Sequence, residues 1–334
     1  MDGSTDVPTG YKIVDQGARA LELAGQAMQL AGLAAAAAGY AAGSKAPSTR
    51  RAYRSDWEHY TAWCAMCGLS ALPAEASTVC LYVTAHAGAL KVSTLRRRLA
   101  CISQAHRAAG HETPTAAPSV RAVWAGIARA HAAPPRRKTP LVVEAMRACL
   151  DALDESPRGR RDRALLLLAW AGALRRSEVV ALRRADVARE ERGLVLTIRR
   201  GKTDQLGEGR LVGLPYGRRA EYCPVRALAA WEALLPRGGG PVFVAVSDAG
   251  RPGAQPLADR HVARLVKRVC DRAGLVGDYS GHSLRAGFAT AAAAAGASER
   301  AIMAQTGHKS VIIARGYIRP ATLFDDNAAA TAAL

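Results

Sequence analysis

Between Tyr279 and Arg319 the chain collects side chains suited to attack on an anionic electrophile. His282 and Arg285 are three residues apart, a spacing that at the start of a helix projects both from one face. Tyr317 follows as a candidate nucleophile, with His308 between them. A phenol with an ordinary pKa of about 10 attacks poorly at neutral pH, so it needs a general base and a strongly cationic cradle around its target. His282, Arg285 and His308 can provide both.

Further candidates lie upstream. Gly172-Ala173-Leu174-Arg175-Arg176-Ser177-Glu178 follows a strongly apolar run, Ala164 to Trp170, which reads as a buried helix spanning Asp162 to Leu174. A sharp turn after such a helix would hold Arg175 rigidly, as a catalytic arginine requires. Gly193 to Arg200 and Arg210 to Pro215 read as two strands of a hairpin, with Lys202 at the turn between them. Taken alone, Lys202 is an ordinary turn lysine.

Length and composition bound the frame that must carry these residues. A chain of 334 residues suggests two domains, and 49% apolar content with only 5% aromatics favours a mainly α fold. The formal charge is +18, yet residues 1 to 47 carry −1, so the remaining 287 residues hold +19. An excess spread through both domains points to a long polyanion gripped along its length; an arginine-rich proteome is the bland alternative. Seven cysteines without a framework point to a reducing compartment, and Cys64-x-x-Cys67 sits in a helical pattern with no second ligand pair, so no metal site is expected. Met1-Asp2-Gly3-Ser4 lacks the cationic start of a signal peptide, and the Ala/Gly run from Leu21 to Ala42 is too weakly apolar for a membrane span. A soluble, cytoplasmic, nucleoid-associated protein is the expectation.

Along the chain, residues 1 to 47 are of low complexity and are assigned no function. Ser48 or Thr49 is expected to cap a helix through Tyr53, Trp57, Tyr60 and Trp63, whose spacing reads as core. A second helix follows Pro73. A third begins near Ser93, its expected cap, and would bury Leu95, Leu99 and Ile102 while offering Arg96, Arg97, Gln104 and Arg107 to DNA. A fourth spans Val120 to Ala130, which completes a helical domain over residues 48–133. Residues 134–140, with Arg136, Arg137 and Lys138 between prolines, read as an extended basic linker able to lie along a phosphate backbone. The second domain, residues 141–334, includes a helix from Leu257 to Ala273 that presents Arg260, Arg264, Lys267 and Arg268 close to one face.

Arg175, Lys202, the His282-Ser283-Leu284-Arg285 box, His308 and Tyr317 occur in the order and rough spacing of the tyrosine site-specific recombinases of the phage integrase family, which the chain after residue 47 resembles. The wording around Ser280-Gly281-His282-Ser283 and Arg315-Gly316-Tyr317-Ile318-Arg319 is similar to the Cre branch. His308 stands where Cre has tryptophan and is the choice more usual among integrases and Xer proteins.

The resemblance implies a helical core-binding domain followed by an α+β catalytic domain with a small antiparallel sheet. It implies that Tyr317 forms a 3′-phosphotyrosyl bond with DNA, that Arg175, Arg285 and His308 hold the phosphate, and that His282 takes the phenolic proton. By the same resemblance Lys202 protonates the leaving oxygen, and Glu178 orients the pocket rather than reacting. No metal or nucleotide cofactor is implied. Double-stranded DNA would be the partner, with a homotetramer on two paired sites; accessory DNA-bending proteins are not specified. A short helix after Pro320, with Leu323 and Phe324, would dock on a neighbour. The competing readings are a type IB topoisomerase-like DNA-relaxing enzyme and a non-catalytic DNA-binding regulator of the same descent.

Overall fold

The computed structural model describes residue 25, residues 27–40, residue 43, and residues 45–134, 137–199 and 209–318. Within these limits the chain divides into two compact units, with the boundary between Pro135 and Arg136.

In the first unit an exposed helical stretch over residues 27–40 precedes four helices: α1 (Pro47–Met66), α2 (Ala76–Ala85), α3 (Val92–Ala108) and α4 (Pro118–Ala130). Tyr60, Val79, Tyr82, Val83, Leu95, Ile102, Val120 and Ile127 form their common core, and Trp57 and Trp63 pack against it as their spacing predicts. The starts of α1 and α3 differ from expectation. Ala46 caps α1 because Pro47 occupies the first turn, and Lys91 caps α3, so neither Ser48, Thr49 nor Ser93 serves as a cap. Arg97 is also less free than its pattern suggests. It grips the buried carboxylate of Asp56 at 2.6 and 3.0 Å, while Arg98 is buried against Tyr82. Asp56 thus clamps Arg97 in place, although that side chain stays half exposed, and Arg96 and Arg107 are exposed on the same helix.

The second unit contains α5 (Val143–Asp151), α6 (Pro157–Ala171), α7 (Arg176–Ala181), β1 (Val187–Glu190), β2 (Gly193–Ile198), β3 (Arg210–Pro215), α8 (Pro224–Glu232), β4 (Val244–Val246), β5 (Pro252–Pro256), α9 (Asp259–Arg272), α10 (Gly281–Ala294), α11 (Glu299–Thr306) and α12 (Val311–Ile318). The expected hairpin is present, with Leu194 opposite Leu214 and Leu196 opposite Val212, and all four side chains are buried. Strand β1 joins its free edge antiparallel, with Val187 opposite Leu196. The sequence offered little sign of β1, because only Val187 in Val-Ala-Arg-Glu turns toward the core. Helix α6 runs through the centre of the core, with Leu165 to Leu168 all buried, and starts at a Ser156 cap earlier than its apolar run suggested. Four consecutive leucines have no polar face to spare, so this helix must be enclosed on most sides.

Two contacts set α10, the helix that carries His282 and Arg285. The Leu141 amide donates to the Ser283 carbonyl at 2.9 Å, and the indole N–H of Trp170 on α6 donates to the Leu141 carbonyl at 2.8 Å. The incoming chain is therefore clamped between α6 and α10. It passes so close that a Cβ on Gly287 would lie 1.9 Å from the Leu141 carbonyl oxygen. Residues 137–141 are consequently fastened to this unit rather than free to follow a phosphate backbone: Lys138 pairs with Asp278 at 2.5 Å, and Arg137 donates to the Gly316 carbonyl. No helix among the described residues is long and apolar enough to cross a membrane.

Replacing Gly287 with alanine should force Leu141 away from α10 and destabilise the catalytic unit by about 3 kcal/mol. Chemical denaturation of the full chain measures this, and an unchanged midpoint would contradict the clamp.

Candidate active site

The turn after α6 makes the first half of the site. Ala173 adopts φ 46°, a left-handed conformation unusual for a residue with a Cβ, and this places its carbonyl 2.7 Å from Arg285 Nη1. Arg175 then caps α7 in a box with Glu178: the Arg175 amide donates to Glu178 Oε2 at 2.9 Å, and its Nη1 donates to Oε1 at 2.6 Å. Glu178 is buried. Burial pushes its carboxyl up, but the Arg175 amide and guanidinium and the Arg210 cation outweigh that and hold it below the usual range.

The second half comes from α10, α11 and α12. Ser280 caps α10 in a box with Ser283, which fixes the first turn from which His282 and Arg285 project. His282 Nε2 lies 2.6 Å from the Tyr317 hydroxyl oxygen. Burial of the ring, then Arg285, Arg175 and Arg176, hold the His282 pKa below its ordinary value, so the imidazole is neutral at pH 7 and free to accept the phenolic proton. His308 stacks on Tyr317 with ring centroids 5.6 Å apart and planes 11° from parallel. Burial, then the surrounding arginines, push its pKa down to about 4. The Arg137 guanidinium lies 6.0 Å from the Tyr317 ring centroid.

Arg285 is only 2% exposed, and its Nη2 has no hydrogen-bond partner among the described residues. Burial first, and then Arg175, lower its pKa to about 10, so it stays charged at pH 7. A buried donor of this kind is costly unless something accepts from it, and an anionic oxygen is the natural acceptor.

Six of the seven expected site residues converge here: Arg175, Glu178, His282, Arg285, His308 and Tyr317. Lys202 and Arg136 lie outside the described residues. Arg260, Arg264 and Lys267 share the exposed face of α9, opposite buried Val262, Leu265, Val266 and Val269, whereas Arg268 on that helix is tied to buried Asp162 at 2.6 Å. Gln104 is exposed and meets Lys45. Sequence reasoning missed Arg210. From β3 it donates to Glu178 Oε2 at 3.0 Å and to the Gln305 carbonyl at 2.8 Å, which joins the Arg175 turn to the end of α11 just before His308. It lies against Gly307, whose φ of 64° suits a helix end that turns sharply. The only trace in the sequence was a charged residue at the first position of a strand. Among the described residues no group of three or more His, Cys, Asp or Glu side chains could hold a metal ion, and Cys64 is buried while Cys67 is exposed.

A tyrosine hydroxyl bonded to a neutral imidazole, beside guanidinium groups and on a helical unit with a small antiparallel sheet, is the arrangement expected of a tyrosine recombinase. Comparison with known proteins agrees. Residues 141–323 match the phage integrase family. The chain is 37% identical over 290 residues to an integrase/recombinase XerD homolog of Selenomonas ruminantium, covering 85% of each. It is 31% identical over 274 residues to tyrosine recombinase XerC of Xanthomonas campestris pv. campestris (strain B100), covering 80% of this chain and 77% of that one. Its fold is similar to that of lambda integrase in a tetramer bound to a Holliday junction, with a TM-score of 0.55, 18% identity, and coverage of 82% of this chain and 72% of that one. The chain belongs to the phage integrase family of site-specific tyrosine recombinases.

Substituting Arg210 with methionine should slow covalent cleavage by roughly 10²-fold, as expected for a small displacement of catalytic groups, with little change in DNA affinity. Single-turnover adduct formation beside a binding titration measures this; equal losses in both would contradict it. The depressed histidines also make stability pH dependent. Because His308 moves from an ordinary 6.5 to about 4 on folding, the unfolded chain binds a proton first as the medium is acidified. Its contribution is full above pH 6.5 and is lost as pH falls through about 4. His308→Gln should flatten the denaturation midpoint across that window.

Proposed function

We propose that Tyr317 cuts and rejoins DNA at specific sites through a 3′-phosphotyrosyl intermediate, and that four copies of the chain act on two paired sites. The observation that carries this reading is the 2.6 Å contact between the Tyr317 hydroxyl and His282 Nε2, beside an Arg285 nitrogen that has no partner among the described residues. His282 accepts the phenolic proton as the oxygen attacks phosphorus. Arg285 and Arg175 bind the non-bridging oxygens and neutralise charge that grows in the in-line transition state. His308 adds a third contact there. The P–O5′ bond breaks, the phosphorus remains esterified to Tyr317, and the departing oxygen takes a proton from Lys202, a role carried over from the family. Glu178 holds Arg175 in place.

Reversal of the same steps with a different 5′-hydroxyl yields a recombinant strand. The phosphotyrosyl ester retains the energy of the broken bond, so no nucleotide is consumed. Among the described residues Arg96, Gln104 and Arg107 of the first unit, and Arg260, Arg264 and Lys267 of the second, are exposed and suit phosphate or groove contacts, to which the sequence adds Arg136. Arg97, Arg137 and Lys138 serve that purpose only if DNA competes with the protein groups they already hold. Assembly as a tetramer rests on the fold shared with lambda integrase.

Tyr317→Phe should bind DNA and form no covalent adduct, which denaturing electrophoresis of protein incubated with the source replicon's DNA reads directly. An adduct formed by that variant would sink the assignment. Arg285→Ala should cost on the order of 10³-fold in cleavage. A supercoiled plasmid with paired sites separates strand exchange, which this reading requires, from relaxation alone.

A further inference from the structure

His308 is held from one side by Thr306, which is fully buried at the end of α11. Thr306 Oγ1 lies 2.7 Å from the Ile302 carbonyl oxygen and 2.9 Å from His308 Nδ1. A carbonyl oxygen has no proton to give, so the single hydroxyl proton fills the shorter contact, the common back-bond to the carbonyl four residues earlier. Turning that proton toward the imidazole would leave two bare oxygens 2.7 Å apart in a place closed to water. The hydroxyl therefore receives a hydrogen bond from Nδ1–H. A neutral imidazole carries one N–H, which leaves Nε2 bare.

We propose that Thr306 is a positioning residue that locks His308 in the Nδ1-protonated tautomer, so that Nε2 donates a hydrogen bond in the active site only after the ring takes up a second proton. This rests on the reading of the site as one that binds a scissile phosphate. A neutral, locked ring turns a lone pair toward an incoming phosphate oxygen and repels it. The imidazolium donates to it.

The groups facing His308 favour the neutral ring until an anion arrives. Arg285 and His282 approach from α10, Arg175 from the turn after α6 and Arg210 from β3, while Tyr317 stacks from α12. Two carboxylates among the described residues bear on this pocket: Glu178, whose charge is engaged by Arg175 and Arg210, and Asp259, an exposed residue on the rim beside Arg175 and His282. A phosphodiester placed against Arg285 reverses the local field. Proton uptake at His308 then accompanies productive binding, and a weakly seated phosphate meets an acceptor instead of a donor.

The test is a long-range proton–nitrogen correlation spectrum of the full-length, DNA-free protein with ¹⁵N-labelled histidine, the His308 signals being assigned by their loss in His308→Gln. At pH 7 the wild type should show His308 Nδ1 in the protonated range and Nε2 in the bare range, and Thr306→Ser should preserve that pattern. Thr306→Val keeps the shape and removes the hydroxyl, so it should lose the preference, with a protonated Nε2 signal appearing at unchanged pH. A wild-type ring protonated on Nε2 overturns the proposal, as does a Thr306→Val spectrum identical to wild type. Should the valine variant fail to fold, the wild-type and serine spectra decide. These readouts involve no DNA. Absence of a Tyr317 adduct would defeat the recombination chemistry while leaving the lock standing, and an adduct with the opposite tautomer would do the reverse.

Discussion

The catalytic unit is built around a guanidinium that has been taken out of water before its ligand arrives. Desolvating a charge costs several kcal/mol unless other groups compensate, and among the described residues Arg285 finds one acceptor in return, the Ala173 carbonyl. The remaining compensation is indirect. Buried Glu178 places one negative charge in the pocket, but Arg175 and Arg210 share it, so the three guanidinium groups stay in excess. A pocket of that sign, with Arg285 held in the interior by the Ala173 carbonyl and Arg175 fixed on Glu178, presents cations already in place, which is what makes them effective in stabilising a phosphoryl-transfer transition state.

Holding such a group requires precise supports, and these account for features that would otherwise look accidental. The left-handed Ala173 aims a carbonyl at Arg285. The absence of a side chain at position 287 lets the chain near Leu141 cross α10 closely enough to bond to Ser283 and Trp170. Arg210 ties the Arg175 turn to the last turn of α11, so one guanidinium bridges the two halves of the pocket through the Glu178 carboxylate on one side and the Gln305 carbonyl on the other. Each support stores a local cost in a unit whose leucine-rich core can bear it.

Much of this was legible in the sequence, for identifiable reasons. His282 and Arg285 were visible because helical spacing aligns them, and Arg175 with Glu178 because a turn after a fully apolar helix has few alternatives. The hairpin was visible because two short β-prone apolar runs, Leu194 to Ile198 and Leu211 to Leu214, flank a Gly-Lys-Thr-Asp turn. What escaped notice depends on partners distant in the chain. Nothing near Arg97 announces that Asp56 will neutralise it, and nothing near Arg210 announces Glu178 and Gln305. Hydroxyls misled the reading of helix starts, since Pro47 and Lys91 set those ends instead. Likewise, Arg137 and Lys138 look like a free basic tether until Gly316 and Asp278 are seen to hold them.

The nucleophile's own helix is attached quite differently. Only Ala314 of α12 is fully buried, while Ile312 and Ile313 face outward and Tyr317 and Ile318 rest on the small patch formed by Ala289, Ala293 and Ile302. Among the described residues so little buried surface ties this helix down that local opening there costs far less than unfolding the unit. Lifting this one oxygen away would leave the buried guanidinium and its supports untouched, so the reactive group and the cationic pocket are separable parts of one unit.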